Sequence, residues 1–269
     1  MGVGSRVNAA LQRVGTKRTN PAVKAGVRAA RALLRGYEGD KAVLRDIAHN
    51  GEARVLERLG SELRVVFDVG ANVGEWTARA LANGATAVHA FEISPATAAG
   101  VTQRYAGDAR VRVNAFGLSS APGTITIHHF PDHPALTTIT DYPHDAPSTT
   151  IDAPVSTGDA YMAEAGVDRI DFLKLDVEGA EQFVIEGFAK AFGNGAIGAV
   201  QYEYGRVCIL TKYLLRDFFE QMTGYGFRVG RIEPNGVEFM DYDMALENFK
   251  DSNWLAVHRS RSDWIAKVS

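Results

Sequence analysis

VVFDVGANVGEWT, residues Val65 to Thr77, is the stretch whose reading decides the fold. Val65, Val66 and Phe67 begin a short β-rich run. Gly70 and Gly74 permit a tight turn with close backbone approach, and the helix expected next presents unpaired N–H groups to whatever occupies the loop. Further runs of strand length and apolar content follow at Ala87 to Ile93, Val111 to Phe116, Ile170 to Asp176 and Ala199 to Tyr204, joined by helical stretches; the first run extends back to Leu63. This alternation predicts a mainly parallel sheet covered on both faces. Two later strands, about Phe227 to Ile232 and Trp254 to Arg259, close it. The expected fold class is therefore α/β: a Rossmann-like, doubly wound, mainly parallel seven-stranded sheet with an N-terminal helical extension.

The extension, residues 1–60, reads as helices, with Val43, Leu44 and Ile47 and then Val55, Leu56 and Leu59 at helical spacing, broken at Asn50-Gly51. It begins with a basic run: Arg6, Arg13, Lys17, Arg18, Lys24, Arg28, Arg31 and Arg35 all precede the first acidic residue, Glu38. A solvated arm or lid, contact with a membrane surface or an acidic substrate, and an organelle transit peptide all suit that composition. Residues 61–269 form the second expected domain, with a substrate-loop insert at about 128–156, rich in Pro, Thr and His and weak in periodicity. A net charge of −3 offers no general attraction to polyanions, so no nucleic acid partner is expected. No apolar stretch is long enough for a transmembrane segment. The single cysteine, Cys208, can form no internal disulfide, sits in an apolar run and fits a reducing, cytoplasmic location.

In an open α/β sheet, ligands bind outside the carboxyl ends of the strands. Asp68, Glu92, Asn114, Asp176 and Glu203 stand there. A carboxylate at Asp68 would repel the pyrophosphate of a dinucleotide, but it attracts the ammonium and sulfonium charges of S-adenosylmethionine. The loop also lacks the third glycine of a G-x-G-x-x-G. About 20 residues on, Glu92 can accept protons from both ribose hydroxyls.

With these motifs in view, the stretch from Arg64 to about Gly205 resembles the FkbM family of methyltransferases. FDVGANVGEWT, VHAFEISP, VNAFGLSSAPGTI and above all DFLKLDVEGAE, Asp171 to Glu181, carry the resemblance. It implies the class I methyltransferase fold and O-methylation of a hydroxyl on a sugar, a polyketide or a related secondary metabolite. Residue by residue, it implies that Asp68, Gly70, Asn72 and Gly74 hold the methionine part of S-adenosyl-L-methionine, Glu92 the ribose, and Asn114 with Phe116 the adenine. Asp176 and Glu178 match the acidic pair after the fourth strand, Asp176 also lying on the cofactor side, and Glu203 matches a glutamate after the fifth. Many relatives carry a histidine just behind that glutamate. Tyr204 and Gly205 stand there instead.

Methyl transfer to a hydroxyl needs alignment, which can contribute ~7 to 11 kcal/mol, and a group that removes the hydroxyl proton or lowers its pKa. Asp176 and Glu203 are the candidate catalytic carboxylates. Together with Glu178 they also form a hard oxygen set suited to Mg²⁺. The insert offers His128, His129, His133 and His144. His129 or His144 could close over the acceptor as a base, whereas Pro131 and Pro134 argue against a metal-binding helix. Lys174, two residues before Asp176 on the same strand face, reads as an ion-pair partner for a nearby acid. Tyr204, Tyr213 and Trp254 suit an acceptor pocket or the core equally. The alternatives are an N-methyltransferase for a small amine, a non-catalytic cofactor-binding scaffold and an NAD-dependent oxidoreductase; the N-terminal helices could also form a homodimer contact.

Overall fold

The computed structural model describes residues 20–37, 46–131, 133–140 and 146–269. Arg6, Arg13, Lys17 and Arg18, Val43 and Leu44, and His144 lie outside the described residues. The chain forms two compact units, Met1–Arg45 and Asp46–Ser269. In the first, α1 spans Pro21–Tyr37, with proline at its first position where a missing N–H costs nothing. The second begins with α2, Glu52–Leu59, which enters after the left-handed Gly51. Placed with the arm in the sequence reading, α2 packs its Val55, Leu56 and Leu59 into the core of the second unit.

An eight-stranded sheet dominates that unit. β1 (Val65–Val69), β2 (Ala87–Phe91) and β3 (Val111–Asn114) run parallel to one another, and β7 (Ile170–Leu175) and β8 (Ile197–Tyr204) extend the parallel set from the other side of β1. Strand order reverses between β1 and β7, which makes their carboxyl ends the expected ligand position. β11 (Ser252–His258), β9 (Phe227–Glu233) and β10 (Gly236–Phe239) then pair antiparallel, giving the order β10-β9-β11-β8-β7-β1-β2-β3.

The α/β class is as expected, but the count of seven strands is corrected to eight. Pro234 and Asn235 turn the chain so that Gly236 pairs with Glu233, and the four-residue β10 is too short to stand out as a strand signal. Three further strands, β4 (Gly117–Leu118), β5 (Gly123–His129) and β6 (Thr149–Ser156), form a small second sheet in the order β4-β6-β5. β6 lies in the stretch read as irregular. His128 and Thr138 form an isolated bridge beside it.

Two of the connecting helices start on a side-chain cap. α3 is Glu75–Ala82; α4, Pro95–Arg104, begins with Ser94 accepting from Thr97 N; α5, Gly158–Ala165, begins with Thr157 accepting from Ala160 N. α6 (Glu181–Gly187), α7 (Ala189–Gly193), α8 (Val207–Thr211), α9 (Leu215–Gly224) and α10 (Ser262–Val268) complete the set. Period-2 alternation separates two cores: Phe67, Leu173, Leu175 and Val200 on one sheet face, and Val66, Trp76, Phe172 and Leu255 on the other.

Candidate active site

Three polar side chains interrupt the second face at matched register. Asp68 pairs with Lys174 across β1 and β7, and Lys174 with Gln201 across β7 and β8. All three are buried. Lys174 Nζ lies 3.0 Å from Asp176 Oδ2 and 3.4 Å from Asp68 Oδ1. From α2, the buried Glu52 accepts hydrogen bonds from Asn50, Gln201 and Asn253 side chains. Burial raises the pKa of Asp68 and of Glu52, and the Lys174 charge opposes both shifts. Lys174 is driven the other way: burial favours its neutral amine, but Asp176, Asp68 and Glu52 together hold the ammonium charged and its pKa is raised. The expected ion-pair role of Lys174 is what the structure has.

The loop after β1 is built for close approach. Gly70 has φ 85, and a Cβ there would stand 1.8 Å from the Asp176 carbonyl oxygen. Asn72, at φ 45, donates its N–H to Glu92 Oε2 at 2.8 Å. A Cβ on Gly74 would meet the Tyr105 ring at 2.8 Å. Thr77 donates to Asp68 Oδ2 at 2.7 Å and the Lys174 ammonium faces Asp68 Oδ1, while the buried Asn72 Oδ1 has no hydrogen-bond donor among the described residues. A buried acceptor without a donor in this loop marks a position for a ligand that carries one. At the end of β2, Glu92 also accepts from Ser94 N at 2.9 Å, and burial raises its pKa against these bonds. Asn114 is buried and donates to Ala90 O and Arg112 O; Phe116 packs edge-on against Phe91.

A second cluster stands beyond β7 and β8. Asp176, Glu178 and Glu203 each present a carboxylate oxygen, all within 4.8 Å of one another. Burial raises the Glu203 pKa well above the carboxylate range, and the neighbouring Asp176, Glu178, Glu181 and Asp251 charges add to the shift. Glu178 sits at φ 49 in a tight turn whose shape is held by Glu181, which accepts from Val177 N at 3.2 Å and Gly179 N at 3.0 Å. Thr138 of the insert donates to the Glu178 carbonyl at 2.7 Å, tying the insert to this turn.

Burial pushes the Glu181 pKa from 4.5 up to about 7. The folded protein thus holds this proton where the unfolded chain releases it, so the contribution of Glu181 to stability falls as pH rises from 4.5 to about 7 and is level above. Urea unfolding of Glu181→Gln should show that slope removed: relative to the variant, the parent loses up to about 3 kcal/mol across the window. A pH-independent difference between the two proteins would refute the buried titration.

His129 is not part of the carboxylate cluster. It lines an open cleft of about 510 Å³ with Val73 of the loop, Ala96, Thr97, Gly100 and Arg104 of α4, and Pro131. His128 and His129 end β5, so the expected absence of a His-bearing helix there holds. Of the aromatics, Tyr204 and Trp254 are core, whereas Tyr213 is half-buried and bonded to Gln221. Tyr204 Oη donates to Glu247 and accepts from Phe249 N, so it fastens the segment before β11 to the end of β8. A Cβ on Gly205 would stand 2.7 Å from Asp251 Oδ1, so a larger residue behind Glu203 would have to displace that side chain. Cys208 is buried, and its thiol is pushed up to about 12, too high for a thiolate nucleophile near neutral pH.

The glycine loop, the acid at the end of β2 and the acidic turn after β7 all fall inside one sequence match: the methyltransferase FkbM domain matches residues 68–229. The chain belongs to the FkbM methyltransferase family. The matched domain lies on the mainly parallel α/β sheet described above. Among solved structures it is similar to the methyltransferase FkbM of Methylobacillus flagellatus KT, with 15% identity and a TM-score of 0.46 over 72% of this chain, and it spans only 43% of that protein. It is also similar to a TehB-like SAM-dependent methyltransferase of Corynebacterium glutamicum, at 13% identity and TM-score 0.41, covering 89% of this chain and all (100%) of the other. A third, TrmK of M. capricolum bound to S-adenosyl-homocysteine, has 7% identity and TM-score 0.43 over 77% and 68% of the two chains. No curated protein matches the chain in sequence.

Sequence reasoning misses two residues, one inside this FkbM domain and one outside it. Glu181, in DFLKLDVEGAE, is a carboxylate three positions after Glu178, a spacing that can cap the intervening turn. Glu52 lies outside the matched segment, and its signal is the polar Gln201 in the middle of the strand run IGAVQYEY.

Proposed function

We propose that the protein O-methylates a hydroxyl of a small molecule, a sugar, a polyketide or a related secondary metabolite, with Glu203 as the base. One observation carries the reading: three carboxylate oxygens converge within 4.8 Å beyond the strands that flank the cofactor loop, and the pKa of Glu203 is raised among them. A carboxylate with a raised pKa accepts a hydroxyl proton better than an ordinary one. Asp176 and Glu178 orient the hydroxyl by accepting from neighbouring donors on the acceptor. S-adenosylmethionine, when bound, supplies an electrophilic methyl group on sulfonium. Asp68, Asn72 and the Gly70 and Gly74 backbone would hold its methionine part, where the buried Asn72 Oδ1 lies without a donor. Glu92 would take the ribose hydroxyls, and Asn114 with Phe116 the adenine. His129, in the cleft beside Val73, would close over the acceptor side.

Calorimetry with S-adenosylhomocysteine tests the cofactor half. Asp68→Asn removes a charge but keeps the shape, and affinity should fall roughly ten- to a hundredfold, as expected when a charged hydrogen bond worth about 1.5–3 kcal/mol is lost. Unchanged affinity would remove Asp68 from the site. For the chemistry, the enzyme and labelled methyl donor should be offered to a panel of sugars, polyketides and amines, with the methylated atom located by NMR. Transfer to nitrogen alone would overturn the O-methyl assignment.

The same three oxygens lie close enough for one hard cation such as Mg²⁺, which would lower the hydroxyl pKa in place of a base. Turnover lost in EDTA and restored by Mg²⁺ assigns them to metal binding. Turnover unaffected by chelation assigns them to the proton.

A further inference from the structure

α1 carries four basic residues and no acidic one over Pro21–Tyr37. In sequence, Lys24, Arg28, Arg31 and Arg35 recur at spacings of four, three and four, which is one stripe of an α-helix. Val23, Val27, Ala30 and Leu34 repeat the same spacing one position earlier, so an apolar stripe runs directly beside the basic one. Val27 is 41% and Leu33 76% exposed. A helix that lives in water usually interleaves acids with its bases at i,i+4, but here each such pair along the stripe repels. The helix has no acidic residue of its own to neutralise that charge.

We propose that α1 lies in the plane of an anionic lipid surface and holds the enzyme there. Its Lys and Arg side chains would meet lipid phosphates while Val23, Val27 and their neighbours sink below the headgroups. A polyanion such as RNA would satisfy the basic stripe but leave the apolar one in water, so the paired stripes favour lipid. At 17 residues the helix is about 25 Å long, enough to contact several headgroups. No helix among the described residues is long and apolar enough to cross a membrane, so the contact would be peripheral. It does not depend on which acceptor the enzyme methylates.

The test is co-sedimentation of the full chain with vesicles of phosphatidylcholine mixed with phosphatidylglycerol, against vesicles of phosphatidylcholine alone. Binding should be at least tenfold stronger to the anionic vesicles and should weaken with salt. The double variant Lys24→Glu/Arg28→Glu should lose it, and Val27→Asp should lose at least tenfold, while both keep the parent's affinity for S-adenosylhomocysteine, which reports an intact second unit. Four results would each overturn the proposal: equal binding to neutral vesicles, no vesicle binding, Val27→Asp binding like the parent, or tight RNA binding without vesicle binding.

Discussion

Glu203→Gln should lower kcat by roughly 10²- to 10⁴-fold, the usual worth of a positioned base, with affinity for S-adenosylhomocysteine nearly unchanged. Glutamine keeps the size of the side chain at the end of β8 but accepts no proton. The neighbours that raise the Glu203 pKa, Asp176 and Glu178 among them, stay in place. The parent also has a signature in pH. Because its pKa is raised, Glu203 gives up its proton at higher pH than an ordinary carboxylate; the rate should climb with that ionisation, and the variant should lack the climb. If the variant turns over at the parent's rate, the base lies elsewhere, and His129 is the next residue to replace. Loss of cofactor affinity in step with kcat would instead mean that Glu203 acts through the methionine end of the site.

What could be read from the sequence were features whose cause is local. The strand, glycine turn and helix at Val65 to Thr77 follow from three adjacent signals, and a polar residue closing an apolar strand marks the ligand edge wherever it occurs. The alternation of strand and helix was enough for a parallel sheet. Features set by distant chain segments were not legible. Glu52 meets Gln201 across 149 positions, and no local pattern announces that contact. β6 was obscured by Pro154, since proline is excluded from paired central strands. The structure shows why it is tolerated: β4 pairs only with Val155 and Ser156, so at Pro154 the strand has a partner on one side alone, at Thr124. Tyr204 could equally have lined a pocket, and only its bonds to Glu247 and Phe249 assign it to the scaffold.

Lys174→Met should cost about 3–5 kcal/mol of stability at pH 8, the scale for removing one member of a buried charge cluster. Methionine fills much of the same volume, so packing contributes little to the loss. The cost comes from what stays behind: Asp68 and Glu52 are buried carboxylates whose ionised forms depend on the Lys174 charge. Without it their folded pKa values rise further above those of the unfolded chain. The penalty is therefore complete where both would be ionised and shrinks as the pH falls and the folded state takes up protons. Urea unfolding at pH 5 and pH 8 should show the variant closer to the parent at pH 5. In the proposed site, S-adenosylmethionine would bring an ammonium and a sulfonium towards Asp68 and so offset part of the lost Lys174 charge, stabilising the variant. A loss of equal size at both pH values would show that Lys174 serves packing, and that the row of Asp68, Lys174 and Gln201 does not act as one charged unit beneath the cofactor loop.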